Sequence, residues 1–167
     1  MIKAIKSRRA HREFLNQPIP EEKIAELLKS AAGAPSANAK YPWEIIVVKE
    51  EQTKDLLSKT TPWSTFAKDA DTILVIVGHE QESAEWIEDC AIVAEHIWLE
   101  AAEQNLGCCW IQIRNQGQAE DSVKEILNIP SHLRVLCLLP IGVPTKNLPE
   151  HDYETFDKSK IKQEKYK

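Results

Sequence analysis

No segment of this chain constrains its fold more than Glu85 to Asn105, the longest uninterrupted helical pattern. Trp86, Cys90, Val93, Ile97 and Ala101 recur at three- and four-residue steps, and Ala94 and Trp98 widen the stripe. The run predicts a helix of 21 residues with Gly107 as its terminator. A helix of that length is about 30 Å long, close to the diameter of a small domain. With so wide an apolar stripe it must be buried on most sides. Either it forms the heart of the monomer, or its surplus apolar face meets a second subunit. Trp86 and Trp98 favour the second arrangement, because tryptophan is enriched at interface hot spots.

The remaining pattern supplies what packs around it. Pro20 to Ala32 reads as an amphipathic helix with Ile24, Leu27, Leu28, Ala31 and Ala32 on one stripe. Pro20 suits a first-turn position, and Gly33 followed by Pro35 stops the helix. Glu44 to Val48 is a β-branched run and predicts a strand; Gln52 to Ser58 predicts a second helix. Thr72 to Gly78 is apolar throughout, as a strand covered on both faces would be. Cys108 to Ile113 is strand-like, and Asp121 to Leu127 reads as a helix closed by Asn128 and Pro130. Arg134 to Gly142 is the last apolar strand, where Pro140 points to an edge position, a bulge or an early end. Alternating helices and strands describe a central sheet wrapped by helices, with strand order and direction left open. At 167 residues the chain reads as one domain, 1–167, long enough to enclose a core.

Charge and residue usage exclude several classes. A net charge of −5 argues against a general nucleic-acid binder, and the five lysines between Lys158 and Lys167 read as a solvated tail. The longest apolar run, Ile73 to Val77, is far too short to cross a bilayer, and no signal peptide is visible. Cys90, Cys108, Cys109 and Cys137 have no C-x-x-C spacing, which fits a reducing cytoplasm. His11, His79, His96, His132 and His151 show no metal spacing, so no metal site is expected. There is no Gly-x-Gly-x-x-Gly, no P-loop and no nucleophile–His–acid triad, and no side chain is assigned as catalytic.

Arg8, Arg9 and Arg12 are the strongest local chemical signal. On a helix, Arg8 and Arg12 would share a face and could grip one phosphate together; a solvated basic helix start is the plain alternative. After the next helix, Ala34-Pro35-Ser36-Ala37-Asn38 precedes Pro42-Trp43, and small residues let main chain approach a flat ring. Together these supply what a phosphorylated, flat-ringed cofactor needs. Arg8-Arg9-Ala10-His11-Arg12 resembles the Arg-Arg-Ser-x-Arg opening of the nitroreductase family of FMN-dependent oxidoreductases. Pro35 to Trp43 resembles the family's Pro-Ser-rich turn ending in Gln-Pro-Trp. Ala101 to Arg114 resembles its Ala-rich helix end, Leu-Gly turn and Cys-Trp strand. Ile126 to Pro130, then Arg134 to Pro144, resemble its Leu-Gly-Ile-Pro and closing apolar strand, and the likeness covers nearly the whole chain. Three positions depart from the pattern: Ala10 replaces the serine, Tyr41 replaces the glutamine, and Asn38 stands one residue earlier than the family asparagine.

The resemblance implies an α+β, three-layer fold with a central, mostly antiparallel sheet flanked by helices, in an intertwined homodimer. It implies FMN at the subunit interface, with NADH or NADPH as transient reductant and a nitroaromatic, quinone or similar small molecule as acceptor. Arg8 and Arg12 would hold the FMN phosphate, with Arg9 near the ribityl chain or ring edge and Ala10 lacking the family hydroxyl. Main chain at Trp110, Ile111 and Gln112 would border the reactive edge of the ring. Pro35, Ser36, Ala37 and Asn38 would pack against a flavin held mainly by the other subunit. Lys146 would reach the phosphate, a solvated surface lysine being the alternative. A flavin-binding or sensing protein without significant turnover, and an interaction domain that has lost FMN, are the competing readings.

Overall fold

The computed structural model describes residues 1–166. Its centre is β3 (Thr72–Gly78), all of whose seven residues are buried. Alternation along the strand sends Ile73, Val75 and Val77 into one core and Leu74 and Ile76 into the other. β3 lies between β2 (Trp43–Val48) and β6 (Arg134–Pro144), antiparallel to both. The outer side of β6 carries three short antiparallel strands: β1 (Phe14–Leu15), β4 (Gly107–Cys108) and β5 (Ile111–Gln112). The six strands form an open sheet, and an isolated bridge from Ala10 to Cys108 adds a parallel contact at its rim.

Helices cover both faces. α2 (Glu21–Ala32) and α4 (Trp86–Glu103) pack on the Leu74 face, where α1 (Lys3–Ser7) lies against α4. α3 (Glu51–Leu57) and α5 (Ala119–Leu127) cover the Ile73 face. This is the expected α+β arrangement of three layers around an antiparallel sheet. The periodicity did not resolve α1 and β1, which are five and two residues long.

Three local expectations are corrected. First, Pro140 sits in a central strand, not at an edge or an early end. Cys108 pairs with Ile141 and Ile111 with Leu138, so Cys109 and Trp110 lie unpaired opposite Leu139 and Pro140. The break between β4 and β5 thus falls where proline offers no N–H. A bulge does occur in β6, but elsewhere: Ile76 pairs with Cys137 and Val77 with Val135. Leu136 is the extra residue, and consequently Leu136 and Cys137 both enter the α4-side core.

Second, α4 ends before Gly107. Asn105 adopts φ 57°, and Leu106 N–H donates to Ala101 O at 2.8 Å, so asparagine supplies the left-handed stop. Gly107 is instead required for packing, since a Cβ there would lie 2.9 Å from His11 Cβ. Third, Trp86 belongs to the core rather than to an interface. It is 5% exposed, and a Cβ on Gly78 would lie 2.3 Å from its ring.

Glu120 ties α5 to the start of β6. Its carboxylate accepts from Arg134 Nε at 2.8 Å, Arg134 Nη2 at 3.0 Å and Val135 N–H at 2.9 Å. Burial pushes the Glu120 pKa up, but the Arg134 and Val135 hydrogen bonds together with the Arg134 and Lys124 charges outweigh it and hold it below the ordinary value. A depressed folded-state pKa contributes stability above the unfolded-state value and loses it as pH falls through the folded one. Glu120→Gln is therefore expected to cost about 1.5–3 kcal/mol at pH 7. In urea melts the deficit relative to wild type should shrink once the pH falls below about 4; a deficit independent of pH would exclude this ion pair as its cause.

Candidate functional site

Helix α1 stops at Ser7, and Arg8, at φ −56° and ψ 121°, has left the helix. The expected helical face shared by Arg8 and Arg12 is therefore not present. Pairing with the sheet rim captures the segment instead: Ala10 bridges Cys108, and His11 N–H donates to Cys108 O at 3.0 Å. Arg8 to Arg12 form a non-helical strip along the rim, with the Arg8 and Arg12 charges both close enough to act on Cys109.

A packed aromatic ring fixes this strip below. Gly107 and Gly142 are register partners, and Cβ atoms on them would lie 3.1 Å and 2.7 Å from the Phe14 ring. The glycine pair opens a slot that Phe14 fills at 9% exposure. Residues 10–13 therefore run along the β4 edge, next to the break at Cys109 and Trp110.

The cations divide into two groups. Arg8 Cζ stands 4.4 Å from the Trp98 ring centre, and Trp98 Nε1 donates to Arg9 O at 3.2 Å. Arg8 and Arg9 converge on His151, whose Nε2 lies 2.8 Å from Arg8 O and whose Nδ1 lies 3.4 Å from Arg9 Nη1. His151 Nε2 also lies 3.2 Å from Arg8 Nη2, so the ring touches both guanidinium groups. Arg12 stands apart, 6.0 Å from the Phe66 ring centre, and shares with Lys146 a cleft of about 240 Å³. Lys146 is paired with Glu13 at 3.3 Å.

Among the described residues Arg8, Arg9 and Arg12 make no salt bridge with a carboxylate. The Arg12 and Arg8 charges both reach the Cys109 thiol, drawing its pKa down against the larger upward push of burial. Burial, reinforced by Arg9, lowers the His11 pKa, which keeps that ring from adding charge to the strip.

Beyond the break, Trp110 Nε1 donates to Gln112 Oε1 at 2.9 Å, and Gln112 Nε2 donates to Arg114 O at 2.9 Å. Trp110 and Gln112 thus present an ordered polar edge. The side chain of Ile111 points the other way, into the core at 1% exposure, so only its main chain is available at this edge.

The turn at Pro35 to Asn38 lies elsewhere in the same chain. Ser36 and Ala37 are held by Asp89 in the first turn of α4, whereas the arginines meet that helix at Trp98. Nine residues of helix separate the two anchor points, about 13 Å. One copy of the chain brings Arg8, Arg9, Ala10, Trp110 and Gln112 to one rim but leaves the turn apart from them.

Two participants escaped the sequence reading. His151 is remote in sequence and belongs to no motif. Asp89 carried a signal, being a charged residue within the stripe of Trp86, Cys90 and Val93.

The nitroreductase family model matches residues 5–61 and 49–143, which span most of the chain. The chain belongs to the nitroreductase family. An FMN-dependent nitroreductase from Clostridium difficile R20291 is 32% identical, with 99% of this chain and 100% of that one superposed at a TM-score of 0.96. A Methanothermobacter thermautotrophicus protein provisionally named NADH dehydrogenase/NAD(P)H nitroreductase is 28% identical over 169 residues, covering 99% of this chain and 87% of its own length. The FMN reductase (NADPH) of Bacillus subtilis is 28% identical over 86% of this chain and 65% of its own length. Within this nitroreductase, the strip, the β4–β5 break and the Asp89-held turn are where Arg8–Arg12, Ala101–Arg114 and Pro35–Trp43, three of the four resembling segments, lie in the fold. No helix among the described residues is long and apolar enough to cross a membrane.

Proposed function

We propose that this nitroreductase is an FMN-dependent oxidoreductase carrying reducing equivalents from NADH or NADPH to a nitroaromatic, quinone or similar small acceptor. The observation that carries the reading is the strip of three arginines, without carboxylate partners among the described residues, pinned beside the Trp110–Gln112 edge. A phosphate dianion is the counter-charge such a donor set suits, because guanidinium groups recognise phosphate through paired N–H donors.

Arg8 and Arg12 are assigned to the phosphate, with Lys146 at the mouth of the Arg12 cleft and Arg9 toward the ribityl chain. Ala10 offers main chain alone, since its methyl cannot replace the family hydroxyl. Trp110, Ile111 and Gln112 are assigned to the ring edge, where fixed main-chain dipoles favour the electron-rich reduced form. FMN, when bound, supplies the hydride chemistry that no side chain of this protein provides. The protein's part is to hold, orient and expose the ring, and no side-chain acid or base is assigned.

The working unit is proposed to be a homodimer with flavin at the subunit interface. Ile87, Ala91, Ile92, Trp98 and Leu99 leave a second, half-buried apolar stripe on α4 that a partner copy would cover. The remoteness of the Pro35–Asn38 turn from the arginines supports the same reading, because a second copy could bring its own turn to the ring. The free, buried thiols suit a reducing cytoplasm. The absent hydroxyl at Ala10 favours, as a second reading, flavin binding without significant turnover.

An absorbance spectrum before and after FMN, then after NADH or NADPH without oxygen, separates these readings. Bound flavin that bleaches is the expected result. Bound flavin that resists both nicotinamides would leave a binding role, and no binding would overturn the proposal.

A further inference from the structure

Asp89 is 3% exposed, and among the described residues it has no salt-bridge partner. Burying such a group is costly unless hydrogen bonds compensate. The compensation comes from one segment. Ser36 Oγ donates to Asp89 Oδ2 at 2.8 Å, and Ala37 N–H donates to Oδ1 at 3.1 Å. Ser36 Oγ in turn accepts from Tyr41 N–H at 2.8 Å. A continuous relay therefore runs from α4 through Ser36 to the far side of the turn.

The relay encloses unusual backbone. Asn38, Ala39 and Tyr41 have φ of 53°, 54° and 51°. The left-handed region is unfavourable for a residue with a Cβ, with asparagine the mildest case. Alanine and tyrosine have no such excuse. Conformations of this kind persist where the surroundings over-determine them, and they collect at ligand-contacting segments. Asn38, Ala39 and Tyr41 are exposed. Apart from backbone bonds such as Ala39 N–H to Ser36 O, Lys40 N–H to Ala37 O and Trp43 N–H to Tyr41 O, the side-chain hold on them comes from Asp89 through Ser36.

We propose that Asp89 is a positioning residue, holding the Ser36–Tyr41 turn in a strained shape that is complementary to the flavin. The flavin half of the inference rests on the function proposed above; the clamp itself does not. Asp89→Ala removes both carboxylate acceptors, so Ser36 Oγ and Ala37 N–H both lose their tie to α4. Asp89 contacts none of the arginines, and its effect reaches the flavin only through the turn.

Amide hydrogen exchange on flavin-free protein tests the clamp, and FMN titration tests its purpose. In Asp89→Ala, exchange at Ala37 and Tyr41 should accelerate at least tenfold while β3 amides keep wild-type protection. FMN affinity should fall about tenfold, and the visible absorption maximum of bound flavin should move. Ala39→Gly in the same background relaxes the left-handed position. It should recover part of the thermal stability and none of the FMN affinity. Unchanged exchange at Ala37 and Tyr41 would overturn the clamp. A normal flavin spectrum and affinity despite accelerated exchange would overturn its role toward flavin. Wild-type protein that binds no FMN would sink the proposed function while the exchange result still decided the clamp.

Discussion

Replacing Arg8 and Arg12 together with alanine is expected to weaken FMN binding at least a hundredfold. Each guanidinium–phosphate contact is a charge-assisted hydrogen-bond pair worth about 1.5–3 kcal/mol, and tenfold in affinity is about 1.4 kcal/mol. Two such losses come to at least 3 kcal/mol, beyond a factor of about 100. Exposure sets the lower bound, because Arg12 faces solvent and salt screens its share. Arg8 is the better-placed of the pair, held over Trp98 and next to His151. Lys146→Ala should cost less than tenfold, since Lys146 already faces Glu13 and its ammonium is a mobile point charge. Fluorescence titration of FMN at low and physiological salt measures all three proteins. Wild-type affinity in the double variant would remove the phosphate from the strip and leave the arginines as a solvated basic edge.

The strip also shows where reading the sequence succeeds and where it stops. Thr72–Gly78 was legible to the residue because a strand buried on both faces has no polar position to blur its ends. The α4 stripe was legible for a related reason, although its stop was read as Gly107 and lies at Asn105. A left-handed position can be filled by asparagine, and the glycine two residues on answers a different demand, the closeness of His11 and Phe14. The four-residue spacing of Arg8 and Arg12 was read as one helical face, which holds only if the backbone is helical. Capture of Ala10 by Cys108 decided otherwise, and that contact joins segments nearly 100 residues apart. Pro140 was misplaced because its tolerance depends on the neighbouring strand being broken opposite it. Local spacing records what a segment prefers, and rim pairings are chosen by the whole sheet. The arginines do lie at one rim of the sheet, but the single helical face expected for Arg8 and Arg12 does not exist.

Phe14→Ala is expected to destabilise the protein by about 3–5 kcal/mol, the usual cost of emptying a buried aromatic site. At about 2–4 °C per kcal/mol for a chain of this length, the midpoint should fall by at least about 6 °C. The slot gives a sharper test than the single variant. Gly142 has no left-handed φ, so alanine there would ordinarily stabilise by about 0.4–1 kcal/mol through the unfolded state. Its Cβ would lie 2.7 Å from Phe14 Cδ1 and 2.9 Å from Cγ, and overpacking of that kind costs about 1–3 kcal/mol. With Phe14 present the clash outweighs the entropy, and Gly142→Ala destabilises. Phe14→Ala removes the ring contacts and leaves only its own Cβ, 3.1 Å from the added one, so the same substitution should then cost far less stability. Thermal unfolding of wild type, both single variants and the double variant measures this difference as a coupling energy. Additive effects would mean that Phe14 is not seated on Gly142. The cycle carries a functional consequence too, since residues 10–13 are held on the β4 edge directly before Phe14. Loss of the ring should loosen FMN binding in Phe14→Ala, and Gly142→Ala in that background should not restore the affinity.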